Sequence, residues 1–351
     1  MPYPRPLELS ALDARRVCNG LLTTARPAPG TPSRVLVLLS ASRSGSSTIY
    51  DLLARCPGVA ALAGEIEPYL KLTGNAQCPG GSNAVSNFRR IETLRALVRA
   101  DLMCWSEPVP LEEDYRQRRL ALQWPASQAP REPTDVGWYD GGTPNTPLII
   151  LEEPPLVPIT QARKPETLDG MTVVIKTPQL VYRPGLIELL FPNSKVEYAH
   201  LSRDIHGCVN GLLDGWESPH FWSYRLPSPM GSKMANWWCF DVPPGWQYAP
   251  TLLDACVLQW LRANEWALDE GGYKISHTLR YEELWKEGAE TKIPKKLGLS
   301  PGPKLRQTMT TKKPSPHRWL LSRPWLSTLG QNLPWAQDMQ KRLGYGSEKD
   351  E

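Results

Sequence analysis

The chain has 351 residues, of which 41% are hydrophobic and 22% charged, and a formal net charge of +4. That is ordinary globular composition, with length enough to bury a sizeable core. The charge balance argues against a nucleic-acid or membrane-surface protein, while leaving room for a local basic cleft around an anionic ligand.

Reading from the amino end, Val35–Leu39 forms a continuous apolar strand. A turn over Ser40–Ser47 follows, and then a helix in which Ile49, Leu52 and Leu53 share a face until Cys56-Pro57-Gly58 stops it. Residues 104–170, rich in proline and charge, read as a long irregular insertion. A second strand, Thr172–Ile175, ends at Lys176 and leads through Thr177-Pro178 into a helix stopped by Phe191-Pro192. The third, Lys195–Leu201, gives way at Ser202-Arg203-Asp204 to a helix over Ile205–Leu213. Residues 216–250, rich in Trp, Pro and Gly, read as a second irregular insertion. Thr251–Leu268 is an amphipathic helix, with Leu253, Val257, Trp260, Leu261 and Leu268 recurring at helical steps and Gly271-Gly272 at its end. A fourth strand, Tyr273–Leu279, precedes Arg280–Leu284, and residues 347–351 read as a frayed tail.

Continuous apolar strands alternating with helices predict an α/β fold over residues 1–351: one domain with a central parallel sheet covered on both faces. Ligands of such sheets gather at the carboxyl ends of the strands. The chain carries seven cysteines without a C-x-x-C pair, which speaks against a disulfide framework and a common zinc site. There is no run of 18 apolar residues, and Met1–Gly20 lacks the apolar segment of a signal peptide. The expectation is a cytoplasmic protein with no membrane span, no nucleic-acid partner and no metal.

Chemistry concentrates after the strands. Ser40-Ala41-Ser42-Arg43-Ser44-Gly45-Ser46-Ser47-Thr48 has small residues whose N–H groups can close around an anion at a helix start, with Arg43 adding a full charge. The same Ser-rich pattern also serves as a plain N-cap. No G-x-x-x-x-G-K-[ST] occurs, so this is not a Walker loop. Arg203, after the third strand, supplies a second anion site. Two such sites suit a ligand with two separate charged groups.

These motifs resemble the superfamily of sulfotransferases that use 3′-phosphoadenosine 5′-phosphosulfate (PAPS), in a P-loop-like fold. Arg43-Ser44-Gly45-Ser46-Ser47 is similar to that family's 5′-phosphosulfate loop, in the Arg form of tyrosylprotein and many bacterial members. Arg203 with the helix after it resembles the 3′-phosphate motif. Lys176-Thr177-Pro178 and Arg280-Tyr281-Glu282-Glu283-Leu284 resemble two further family segments, and Thr310-Thr311-Lys312-Lys313 resembles the basic loop over the nucleotide. The resemblance implies cofactor contacts from Arg43, Ser44, Gly45, Ser46, Ser47, Thr48, Arg203, Tyr281, Lys312 and Lys313, and adenosine 3′,5′-bisphosphate as product. The family has Ser eight residues after the motif's Arg; here that position is Gly211, preceded by Asn210. Asn210 or Ser202 is the alternative donor to the 3′-phosphate.

Gly64-Glu65 stands 22 residues after Arg43, close to the spacing of the catalytic pair in tyrosylprotein sulfotransferases. The resemblance implies Glu65 as base, with Glu67 as fallback; a helix-capping or salt-bridging role is the alternative for Glu65. Lys176 would stabilise the leaving oxygen, beside Arg43 on the sulfate. His200 reads as core and His206 as lying near the adenosine end. The rings of Trp216, Trp222, Trp237 and Trp238 either pack on the core or wall a largely apolar small-molecule acceptor. The rival functions are a P-loop small-molecule kinase and a non-catalytic nucleotide-binding protein on the same fold.

Overall fold

The computed structural model describes residues 30–62, 66, 69–70, 73, 75, 90–104, 167–217, 224–227, 234–237, 241–302, 319–329 and 333–345. The sheet has five strands, β1 (Arg34–Ser40), β2 (Val59–Ala61), β3 (Thr172–Lys176), β4 (Lys195–Ser202) and β7 (Ile275–Arg280), in the order β2-β3-β1-β4-β7. All its pairings are parallel. β1 is central because both of its faces are apolar. Val35, Val37 and Leu39 enter one buried cluster, Leu36 and Leu38 the other. Burying these five side chains contributes on the order of 10 kcal/mol, as an upper figure.

The register sets the functional edge. Leu38 stands opposite Lys176, Ser40 opposite Leu201, and Ser202 opposite Arg280. The residues following β1, β3, β4 and β7 therefore emerge along one edge of the sheet. At the opposite edge Glu197 accepts from Arg34 Nε (2.8 Å) and pairs with Lys195 Nζ (2.6 Å). Desolvation opposes that charge, yet the two cations hold its carboxyl down to about 2.

Helices cover both faces: α1 (Ser46–Ala54), α2 (Ile91–Cys104), α3 (Leu186–Leu190), α4 (Ile205–Glu217), α5 (Leu252–Glu265), α6 (Ala289–Lys296), α7 (Trp319–Ser322) and α8 (Pro334–Arg342). Thr251 caps α5 by accepting from the Asp254 N–H at 3.1 Å, worth about 1 kcal/mol. The helix runs into a π-type turn over Trp266–Glu270, where the Gly271 N–H reaches back to the Trp266 carbonyl. Among the described residues no helix is long and apolar enough to cross a membrane.

The structure departs from the sequence reading in four places. The single helix expected after Pro178 is a 3₁₀ turn over Pro178–Tyr182 and then α3, because Pro184 and left-handed Gly185 break the chain between them. The short edge strand β2 forms by pairing with β3, which no local pattern announces. The last strand starts at Ile275; Tyr273 instead donates its hydroxyl to the Leu180 carbonyl at 2.7 Å. The described residues within 216–250, a stretch expected to be irregular, include regular elements. α4 continues to Glu217, and β5 (Tyr224–Pro227) pairs antiparallel with β6 (Met234–Trp237) ahead of a 3₁₀ turn at Trp246–Tyr248. The insertion expected at 104–170 lies outside the described residues over 105–166.

Candidate active site

The chain leaves β1 through Ala41–Gly45 and enters α1. Arg43 has φ 67 and Gly45 φ 83, so two of these residues are left-handed, one of them carrying a side chain. Such a conformation is held only where its surroundings over-determine it, and such residues concentrate at binding sites. Here Arg43 is held from two sides. Its Nε donates to the Gly211 carbonyl (3.1 Å), and its own carbonyl accepts from Arg203 Nη1 (2.9 Å). Ser42, Ser44 and Ser46 are buried. The Thr48 and Ile49 N–H groups close on the Gly45 carbonyl to start α1, whose amino end points its partial positive charge at the loop.

The second strand-end group is Lys176, only 2% exposed. Its Nζ donates to Ser47 Oγ at 3.0 Å, placing an ammonium group against the first turn of α1. The third is Arg203. Its guanidinium lies 4.0 Å from the Tyr281 ring centroid, and its carbonyl accepts from Trp260 Nε1 at 3.0 Å. Asp204 caps α4 by accepting from the Gly207 N–H at 2.9 Å. Tyr281 closes the ring of contacts: a Cβ added to Gly45 would lie 2.2 Å from Tyr281 Cδ2. Gly45 is thus required by backbone conformation and by the close approach of that ring. The next residue, Glu282, accepts from the Asp204 N–H (3.3 Å) and the Tyr345 hydroxyl (2.7 Å). Four segments remote in sequence meet here, and the arrangement presents two arginines, a lysine and a helix start, a donor set for an elongated polyanion.

Asn210 and Ser202, the two expected alternative donors, both contact distant segments. Asn210 Oδ1 accepts from Ser322 Oγ (2.9 Å) and Arg323 Nη1 (2.8 Å), anchoring α7 onto α4. Ser202 Oγ lies 3.4 Å from the Tyr345 hydroxyl and is buried. His200 is in the core, as its sequence context implied, and faces Asn264 Oδ1 at 2.9 Å. Asn264 Nδ2 donates to the Trp260 carbonyl, so its oxygen is the acceptor and His200 Nε2 carries the proton. His206 stacks on Trp319 with ring centroids 4.7 Å apart.

Trp237 is not an exposed wall: it is 1% exposed and packs edge-on between Trp216 (5.1 Å) and Trp246 (5.7 Å). An indole surrounded by indoles gains more from burial than from facing water. Glu65, Glu67, Trp222, Trp238, Lys312 and Lys313 lie outside the described residues. The flanking Leu62 and Ile66 are buried.

One group escaped the sequence reading. Asp241, 0% exposed, accepts from the Ser42 N–H (2.9 Å) and the Tyr182 hydroxyl (3.2 Å). Burial pushes its carboxyl up to about 6, against the lowering by those donors. Nothing periodic marks it; a carboxylate among aromatic residues was the available signal. Cys208 Sγ also touches the loop, at 3.2 Å from the Ser42 carbonyl, and burial pushes its thiol up to about 12. A separate groove of about 840 Å³ lies at the opposite edge of the sheet, lined by Arg34, Glu188, Glu197, Tyr273 and His277. Its two carboxylates are engaged by Tyr198, Arg34 and Lys195. Among the described residues no three His, Cys, Asp or Glu side chains group as metal ligands.

No family profile and no curated protein sequence matches the chain. Among solved structures, it is similar to the sulfotransferase domain of the Synechococcus olefin synthase, at 17% identity and TM-score 0.40 over 92% of this chain and 98% of that one. It is similar to the sulfotransferase domain from the curacin biosynthetic pathway at 14% identity and TM-score 0.38, over 92% and 99% of the two chains. A sulfotransferase from Alicyclobacillus acidocaldarius matches at 8% identity and TM-score 0.36, over 91% and 98%.

Proposed function

We propose that the chain is a sulfotransferase that moves a sulfuryl group from PAPS to a hydroxyl of a largely apolar small molecule. The observation that carries this reading is the joining of three strand ends: Lys176 Nζ on Ser47 at 3.0 Å, and Arg203 on the Arg43 carbonyl at 2.9 Å. The donor set fits a ligand with two separated anionic groups. Arg43, the Ser44–Thr48 segment and the start of α1 would hold the 5′-phosphosulfate end. Arg203 would hold the 3′-phosphate, with Tyr281 beneath its guanidinium and Lys312 and Lys313 closing over the nucleotide. PAPS supplies the sulfuryl group.

The chain's own groups do the rest. Lys176 stabilises the negative charge that gathers on the leaving oxygen, as cations do in the related loose phosphoryl transfers. Arg43 holds the sulfate oxygens. Glu65, supported by Gly64-Glu65 at the family's spacing, takes the acceptor's proton, with Glu67 as fallback. Trp216, Trp222 and Trp238 are the aromatic candidates for the acceptor wall; Trp237 belongs to the core.

A melting experiment tests the reading. Adenosine 3′,5′-bisphosphate raises the melting temperature, as a ligand of the native state must, and Mg²⁺–ATP raises it much less. A chain that ignores the bisphosphate and responds to Mg²⁺–ATP is a nucleotide enzyme of another kind.

A further inference from the structure

We propose that Asp241 is a positioning residue for the anion loop, its carboxylate holding the backbone N–H of Ser42 one residue before Arg43; the proposal rests on the sulfotransferase reading of that loop. The contacts divide between main chain and side chain. The Asp241 carbonyl accepts from Trp237 Nε1 (2.9 Å) and Gln259 Nε2 (2.7 Å), which anchors the residue to β6 and to α5. The side chain alone reaches the loop, 199 residues away in sequence. The packed rings of Trp216, Trp237 and Trp246 thereby seat a carboxylate under the loop.

Among the described residues, three donors meet this carboxylate: the Ser42 N–H, the Ser42 hydroxyl and the Tyr182 hydroxyl. An ionised carboxylate accepts from all three at once, whereas an amide has a single accepting oxygen, and its NH₂ turns one of the hydroxyls into an acceptor. Asp241 holds the N–H side of Ser42 while Cys208 Sγ lies 3.2 Å from its carbonyl, so both peptides of Ser42 are held ahead of the left-handed Arg43. That conformation aims the Arg43 carbonyl at Arg203 and its Nε at Gly211. Asp241 thus acts on the ligand through Arg43, not by touching it.

Charge gives the proposal a signature. The groups facing Asp241 are Ser42 from the loop, Tyr182 from the 3₁₀ turn, Trp237 and Gln259 on its own carbonyl, and the Cys208 thiol from α4, which feels its charge. Burial brings the carboxyl to about 6, so mild acid protonates it, removes its charge and turns one of its two oxygens into a donor. The hold on Ser42 then weakens to that of a neutral acceptor, in the wild type as in the amide variant.

The test is calorimetric titration of the full chain with adenosine 3′,5′-bisphosphate at about pH 8 and about pH 5, for wild type, Asp241→Asn and Tyr182→Phe, each checked for a cooperative melting transition. At the higher pH, Asp241→Asn binds about ten- to a hundredfold more weakly, the scale of a hydrogen bond to a charged group. At the lower pH the gap closes. Equal affinities at the higher pH overturn the proposal, and so does a gap that is constant with pH, which marks a merely structural residue. A wild type that binds no bisphosphate at either pH overturns the sulfotransferase reading and this proposal with it. Should Asp241→Asn fail to fold, Tyr182→Phe decides: a several-fold loss that narrows in acid supports the role, and wild-type affinity ends it.

Discussion

Arg43 Nε donates to the carbonyl of Gly211 at 3.1 Å, and a Cβ on Gly211 would meet Arg43 Cβ at 3.1 Å and its Nε at 3.6 Å. Gly211 is also the position at which the chain departs from the serine of the sulfotransferase motif that its sequence resembles. The arginine stem crowds the position that a side chain at 211 would take, and would have to shift by a few tenths of an ångström to admit one.

Restoring the family residue should therefore harm binding. Gly211→Ser pushes the Arg43 stem off α4, and bisphosphate affinity falls by about three- to tenfold, the scale of displacing part of one charged contact. Titration calorimetry reads this directly. Tighter binding in the variant would show that the missing hydroxyl mattered more than the space.

Gly45 is constrained twice, by φ 83 and by a Cβ position 2.2 Å from Tyr281 Cδ2. Gly45→Ala costs about 1–3 kcal/mol from the backbone alone, and more from the ring contact. Tyr281→Ala relieves only the second part. A double-mutant cycle by urea denaturation should return a coupling of about 1–2 kcal/mol. Additive effects would mean that the ring moves aside freely.

Lys176→Met keeps the buried stem and removes the charge. Turnover should drop by about 10²–10³-fold, the scale of one lost transition-state donor, with acceptor KM changed far less. Near-normal turnover would assign Lys176 to holding Ser47 and nothing more.

For the base, Glu65→Gln should cut turnover by about 10²–10⁴-fold and leave bisphosphate affinity intact. Near-normal turnover in Glu65→Gln, with the loss appearing in Glu67→Gln, moves the role to Glu67.

Stability should carry two opposed pH terms. His200, buried against Asn264, has its pKa lowered to about 4 by desolvation. Between about pH 6.5 and pH 4 the unfolded chain binds a proton that the folded chain refuses, so this contribution is lost as pH falls through that window. Asp241 runs the other way. Raised to about 6, it keeps a proton that the unfolded chain releases, and its contribution is lost as pH rises toward that value. Each amounts to something on the order of 3 kcal/mol, and they offset over nearly the same range. Relative to wild type, His200→Asn should lose stability as pH rises from about 4 to about 6, and Asp241→Asn as pH falls. Urea midpoints across that range check the signs; parallel profiles for all three proteins would refute both assignments.

The sequence by itself determined four of the five strands of the sheet and, to within a residue, their carboxyl ends. Val35–Leu39 is apolar at every position because both faces of β1 are buried, so its burial is written locally. Lys176 and Arg203 were legible as strand-end groups because a charged residue closing an apolar run can only lie at the edge of a parallel sheet. Thr251 and the Gly271-Gly272 pair bounded α5 by local capping chemistry. Tertiary structure alone decided the rest. β2 is three residues long and exists through its partner β3. Trp237 stood open between core and acceptor wall until its neighbouring indoles enclosed it, since β6 is only four residues long and carries no period from which its buried face can be read. Asn210 reads only as a phosphate donor, while its oxygen accepts from Ser322 and Arg323, more than 100 residues later. Asp241 stands 199 residues from the N–H it binds, and Gly211 reads as a lost serine until Arg43 lies across it. Periodicity and capping act within a few residues, whereas these side chains acquire their partners only when the closed sheet brings distant segments to one edge.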